Sequence, residues 1–92
     1  MDLVQVLCEA TMTAAALRLE KFPRVNTSEK RSVLVTDALK KVLGAEMPGF
    51  INNELKEAKE SNLGEWWLKE IINVQCNKWA IDALKIAEEE LG

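Results

Sequence analysis

The sequence contains no histidine, so the side chain that most often acts as a catalytic base near neutral pH is missing. Its two cysteines, Cys8 and Cys76, lie far apart in the chain. Both fall on apolar stripes of predicted helices, where burial raises the pKa of a thiol and keeps it unreactive. We therefore expect two free, buried thiols and assign no catalytic residue, no metal ligand and no cofactor to this chain.

Long uncharged runs are also absent. The apolar N-terminal segment is interrupted by Asp2, Glu9 and Arg18 and has no basic stretch before it. This pattern excludes a signal peptide and a membrane-spanning helix in that segment. We expect a cytoplasmic protein with reduced thiols and no membrane partner.

The chain lacks the excess of positive charge that is typical of nucleic-acid-binding domains. Twelve basic and fifteen acidic residues give a net charge of −3, whereas a phosphate backbone attracts a basic surface. Binding to nucleic acid is therefore not expected. A DNA-associated regulator is kept only as a third hypothesis, which retention on DNA at about 0.15 M salt would support.

Strand signals are almost absent, because the only β-branched run, 33–35, lies inside a helical pattern. Proline and glycine residues divide the remaining chain into helical segments. We predict an all-α fold: a small four-helix bundle with three long helices and one short helix, forming a single domain over residues 1–92. The predicted spans are 2–21, 26–44, 50–60 and 62–91, and we expect the first and last helices to lie antiparallel at the centre.

Local signals set the predicted helix ends. Asn26 and Asn62 each precede a glutamate by three residues, which is the spacing of a capping box. Gly44 is of the type that ends a helix, and the pair Pro48-Gly49 predicts a turn. A short and weakly apolar third helix follows that turn.

The fourth predicted helix has apolar residues on two sides when each residue is placed at 100°. The broad stripe that we expect to face the core contains Leu68, Ile72, Cys76, Trp79, Ala80, Ala83, Ile86 and Ala87. A second seam contains Trp67, Ile71, Val74 and Ile81, with Trp66 and Leu84 beside it. The first helix is likewise apolar around most of its circumference, which predicts a central position for it.

Two interpretations of the second seam are open. The fourth helix could be the centre of a compact monomer, covered on both sides by other helices. Alternatively, the seam could pack against a second copy of the chain. We favour a homodimer or larger homo-oligomer, because so short a chain has too few helices to surround two central ones. The predicted interface residues are Trp67, Ile71, Val74, Ile81 and Leu84, with a contribution from the first helix.

We expect this small acidic protein to act by protein–protein binding, as a regulator, inhibitor or adaptor, and its protein partner is unknown. The partner surface is predicted near the third helix or the C-terminal glutamates. The alternative is an enzyme that depends on a metal or small ligand and has a carboxylate site at a subunit interface. Its candidate carboxylates are Glu9, Glu54, Glu57, Glu65, Glu70 and Asp82.

Overall fold

The computed structural model describes residues 2–92, which form four helices and, within that range, no strand. Helix α1 spans Leu3–Arg18 and continues as a 3-10 turn, Leu19–Lys21. Helix α2 is short, Pro23–Asn26. Helix α3 begins with Arg31–Gly49, widens into a π-helical segment, Phe50–Leu55, and ends with Lys56–Glu60; α4 spans Glu65–Glu90. None of these helices is both long and apolar enough to cross a membrane.

The prediction of an all-α fold with four helices, three of them long, is confirmed. The identity of the short helix was predicted wrongly, because it is α2 and not the segment 50–60. The first span was predicted well. Asp2 caps α1 by accepting a hydrogen bond at Oδ1 from the backbone N–H of Val4, at 3.0 Å.

Helix α3 does not end at Gly44, and no turn forms at Pro48-Gly49. Buried positions continue through this region, with Leu43, Phe50, Leu55 and Ala58 all nearly inaccessible to solvent. Phe50 and Leu55 are five residues apart, which is the hydrogen-bond interval of a π-helix. The π segment therefore turns Leu55 back toward the core, where a regular α-helix would direct it away.

Pro48 lies inside α3 and explains the position of the π segment. It has no N–H to donate to the carbonyl of Gly44, four residues earlier, and its ring crowds that carbonyl. Widened turns occur where the helical hydrogen-bond ladder is disturbed in this way. The helix thus absorbs the proline by local widening and does not break.

Two predicted helix starts were also wrong. Asn26 belongs to the end of α2, and its carbonyl and side-chain oxygens accept hydrogen bonds from Arg31, the first residue of α3. Asn62 has φ 60°, a left-handed conformation that ends the preceding helix, so α4 begins at Glu65. Two residues three positions apart can match a capping box by chance. Here Asn26 bonds to Arg31 and Asn62 ends a helix, so neither asparagine caps a helix start.

Helices α1 and α4 are parallel, and α3 is antiparallel to both. The thiol of Cys76 donates to the carbonyl of Leu7 at 3.7 Å, while Arg24 reaches the carbonyl of Gly92 at 3.0 Å, so both helices advance in the same direction. The predicted antiparallel arrangement of the first and last helices is therefore wrong. Because α3 is one continuous rod, the chain reverses direction only twice between α1 and α4.

Helix α4 is the central element, since it packs along both α1 and α3, which touch each other much less. The predicted core stripe of α4 is confirmed. Trp79 is 1% exposed and meets the ring of Phe50 edge to face, with ring centroids 5.3 Å apart. Small residues line the contact between α1 and α4 and allow a close approach: Ala14, Ala15, Ala80, Ala83 and Ala87.

Helix α1 is not central, in contrast to the prediction. Its buried residues are Leu7, Thr11, Ala14 and Ala15, which form a single narrow line along the helix. Val4, Met12 and Leu17 are exposed, with Leu17 at 72%. Much of the apolar circumference of α1 thus remains at the surface.

Replacement of Gly44 tests the continuity of α3. A Cβ at this position would meet nothing within 4 Å, and alanine has a higher helix propensity than glycine. Gly44→Ala should therefore raise the free energy of unfolding by about 0.5–1 kcal/mol in urea denaturation. A loss of stability would instead mean that Gly44 ends a helix in a left-handed conformation.

Replacement of Trp79 tests the centre of the core. Trp79→Ala should lower the free energy of unfolding by about 3–5 kcal/mol, a large part of the total expected for a domain of this length. Trp66→Ala is the matched control, because Trp66 is 64% exposed. Its effect should stay within about 0.5 kcal/mol, and equal losses for the two variants would contradict the assignment of Trp79 to the core.

Candidate protein-binding surface

The outward side of α4 carries a set of apolar side chains, Trp67, Ile71, Val74 and Ile81, which we name the α4 face. Trp67 is 55% exposed and Val74 is 60% exposed. Ile71 is half-buried and packs against the edge of the core, and Ile81 is half-buried. The structure thus leaves two of the five sequence-predicted interface residues largely at the surface and two partly at the surface.

Leu84, the fifth predicted interface residue, has no exposed surface. It belongs to the same buried cluster as Trp79 and therefore contributes to the protomer's core. The helical period alone placed it at the flank of the seam, between core and surface. The packing of the other helices against α4 covers it.

The position of the α4 face follows from the helical period. Trp67, Val74 and Ile81 recur every seven residues, about two helical turns, so they line one side of α4. Cys76 and Ala83 are buried on the other side. Since α1 and α3 cover the buried side, the opposite side is left partly or largely at the surface.

Two tryptophans lie side by side at the start of α4. The rings of Trp66 and Trp67 meet edge to face, with centroids 4.8 Å apart and an interplanar angle of 83°. Both are more than half exposed, and Leu63, just before the helix, is 40% exposed. This end of the molecule therefore presents the largest aromatic surface in residues 2–92.

A shallow cleft of about 240 Å³ lies beside Trp67, between α4 and the π segment of α3. Its apolar wall is formed by Trp67, Ile71 and Val74, while Glu54 and Glu70 supply carboxylates. Neither glutamate makes an ion pair within residues 2–92. The first half of the α4 face is therefore apolar with an acidic margin.

The second half of the face carries two lysines, and acidic groups lie beside them. Lys78 and Lys85 are both exposed. The ammonium of Lys78 binds the carboxylate of Asp82 at 3.1 Å, and this hydrogen bond, with the charge of Asp82, raises the pKa of Lys78. Lys85 lines a wider cleft of about 390 Å³ between α3 and α4, where Lys41, Glu46 and Asp82 also lie. Positive and negative groups balance each other in that cleft.

The carboxylates proposed for the alternative enzymatic function are dispersed. Glu54 and Glu70 share the cleft beside Trp67, but Glu65 pairs with Lys69 at 3.4 Å and Glu9 accepts a hydrogen bond from Gln5. Within residues 2–92, no three cysteine, aspartate or glutamate side chains come together in a way that could hold a metal ion. One protomer therefore offers no metal centre built from these groups.

The acidic C-terminus is held by contacts that sequence reasoning missed. Glu90 pairs with Lys41 at 3.2 Å, and Arg24 donates to the carbonyls of Leu91 and Gly92. A cation at a helix C-terminus is favoured by the helix dipole. These partners are separated by 49 and more residues in sequence, so no local pattern could have indicated them.

A small polar group is buried between α1 and α4. The hydroxyl of Thr11 donates to the carbonyl of Leu7 at 2.7 Å, and the thiol of Cys76 approaches the same oxygen. Burial raises the pKa of Cys76, although its hydrogen bond with Thr11 partly opposes that change. Cys76 is buried and unpaired, as expected, whereas Cys8 is only half-buried.

Comparison of this chain with protein-family models, curated proteins and solved structures finds no match. The functional assignment therefore rests on the surface itself.

The raised pKa of Cys76 predicts a pH dependence of stability. The unfolded thiol ionises near its ordinary value of 9.0, while the folded thiol ionises only at higher pH. Its contribution is therefore complete below pH 9.0 and is lost as the pH rises through the folded-state pKa. The free energy of unfolding should fall more steeply above that pH in the wild-type chain than in Cys76→Ala. Urea denaturation at several pH values would measure both chains. If their free energies of unfolding fell equally with pH, the burial of this thiol would be contradicted.

Proposed function

We propose that this protein acts by binding protein surfaces through the α4 face, and that it uses this face first to bind a second copy of itself. The observation that supports the proposal most directly is the exposure of Trp67 and Val74 on the side of α4 that faces away from the core. Tryptophan contributes strongly to binding where it becomes buried at an interface. An exposed apolar patch with polar margins marks an interaction site.

The dimensions of the molecule suit such an interface. Helix α4 has 26 residues and is therefore about 39 Å long at 1.5 Å per residue. The molecule measures 45 Å in its longest direction, and the α4 face, from Trp67 to Ile81, covers about 21 Å of it at the same rise. A standard interface buries about 800 Å² per partner, which is roughly one-eighth of the 6171 Å² surface of the protomer.

Binding, and not chemistry, is the function that these residues support. The exposed groups of the α4 face are aromatic and aliphatic side chains. Carboxylates lie beside its first half and lysine ammonium groups lie in its second half. Such a surface suits a small acidic regulator, inhibitor or adaptor that acts as an oligomer. Met12 and Leu17 of α1, which are 57% and 72% exposed, supply further apolar area for a protein partner.

The variant Trp67→Glu tests the proposal. A tryptophan that becomes buried at an interface contributes about 2 kcal/mol or more, and a homodimer contains two copies of it. The dissociation constant of the dimer should therefore rise by about a thousandfold. Light scattering coupled to size exclusion, across micromolar concentrations, would show a dimer for the wild-type chain and a monomer for the variant.

Val33→Glu is the matched control, because Val33 is 61% exposed but lies on α3, away from the α4 face. This variant should retain the mass of the wild-type assembly. Far-ultraviolet circular dichroism should show that both variants keep the wild-type helix content. A wild-type chain that remains monomeric, or a Trp67→Glu chain that remains dimeric, would overturn self-association through this face.

A further inference from the structure

The α4 face has the spacing of a two-stranded helical seam. When Lys78 and Lys85 are added to its four apolar residues, the intervals alternate between four and three, which is the spacing of the two core positions in a coiled coil. The seam consists of Trp67, Ile71, Val74, Lys78, Ile81 and Lys85. Such a spacing keeps one stripe of a helix in contact with a partner helix along several turns. A second α-helix is therefore the element that this face fits.

The charges on the face decide the direction of that second helix. Glu54 and Glu70 lie at its first half and have no ion-pair partner within residues 2–92, while Lys78 and Lys85 lie at its second half. If two copies of α4 packed in parallel, Lys78 would face Lys78 and Glu70 would face Glu70. An antiparallel arrangement brings Lys78 of each copy close to Glu70 of the other, which removes this repulsion and gives Glu70 a partner.

We propose that α4 packs antiparallel against α4 of a second copy, about a twofold axis level with the midpoint between Ile72 and Asn73. This pairing rests on the self-association proposed above and specifies its geometry. In the two central layers, Ile71 of each copy opposes Val74 of the other. Because the interface is isologous, every contact occurs twice.

The same register gives the flanking residues suitable neighbours. Trp67 lies level with Lys78 of the second copy, so that the ammonium reaches the face of the exposed indole and the carboxylate of Glu70 within about one helical turn. Ile81 lies level with Gly64 of the second copy, next to Leu63, which is 40% exposed. Each apolar residue of the face that is exposed or half-exposed in the protomer thereby acquires a partner.

Charge reversal tests the direction of the pairing. Glu70→Lys and Lys78→Glu should each weaken the dimer by about tenfold or more, since each places two like-charged pairs across the axis. The double variant Glu70→Lys/Lys78→Glu should restore an affinity close to that of the wild-type chain. Sedimentation equilibrium at low and high salt would measure these changes, which should shrink as salt screens the charges.

Lys69→Glu is the matched control for Lys78→Glu. Each substitution removes an exposed ion pair between residues four apart on α4, Lys69–Glu65 in one case and Lys78–Asp82 in the other. Lys69 points away from the α4 face, so its reversal should leave the dissociation constant unchanged. If the control weakens the dimer as much as Lys78→Glu does, the pairing is overturned.

Cysteine pairs test the register. A mixture of an Ile71→Cys chain with a Val74→Cys chain should form a disulfide-linked dimer on mild oxidation, whereas either chain alone should crosslink poorly, because identical positions are offset along the antiparallel helices. The wild-type chain, with Cys8 and Cys76 free, gives the background.

The outcomes separate this pairing from the proposed function. A wild-type monomer would overturn both. A wild-type dimer in which Val74→Cys crosslinks efficiently by itself, or in which the double charge reversal fails to restore affinity, would overturn the antiparallel register and leave self-association standing.

Discussion

The π-helical segment Phe50–Leu55 lets α3 continue past Pro48, and the arrangement of the other helices depends on that continuity. It keeps Phe50 and Leu55 on the buried side of one rod, where Phe50 meets the ring of Trp79. A broken helix would have given the chain one more reversal and an antiparallel α1 and α4. With an unbroken α3, the chain goes up, down and up again, and α4 becomes the central helix.

This arrangement leaves part of α4 uncovered. Two long helices, α1 and α3, flank α4 and bury the stripe around Trp79. The short helix α2 caps one end of the bundle, where Arg24 binds the last carbonyls of the chain. No further helix in residues 2–92 reaches the side of α4 that carries Trp67 and Val74. The exposed apolar face is thus a direct result of how few long helices the chain provides.

The polar groups on α4 give this face a direction. Glutamates lie beside its first half and lysines lie in its second half, and the proposed antiparallel pairing rests on this distribution. A hydrophobic seam alone would not distinguish parallel from antiparallel partners, because apolar contacts have little directional preference. Charges add that distinction mainly through the repulsion that arises in the wrong arrangement. Trp67 and Val74 would then supply affinity, and Glu70 and Lys78 would supply specificity.

Much of the candidate surface was accessible from the sequence, because a helical period converts residue order into faces. The sequence alone determined the all-α fold, the span of α1, the core stripe around Trp79 and the separate position of Trp67. It could not indicate that Leu84 is buried, since this residue lies at the border of two faces and only the packing of the helices decides which side is covered.

Helix ends and chain direction required the tertiary structure. Gly44 and Pro48 carry local signals for a helix end and a turn, but burial of Phe50 and Leu55 outweighs this local preference. The pairing of Glu90 with Lys41 and the contact of Arg24 with the C-terminus likewise join residues far apart in sequence. Periodicity records which side of each helix is apolar. Which neighbours cover that side depends on contacts between residues far apart in the chain. The energy of those contacts cannot be read from neighbouring residues in the sequence.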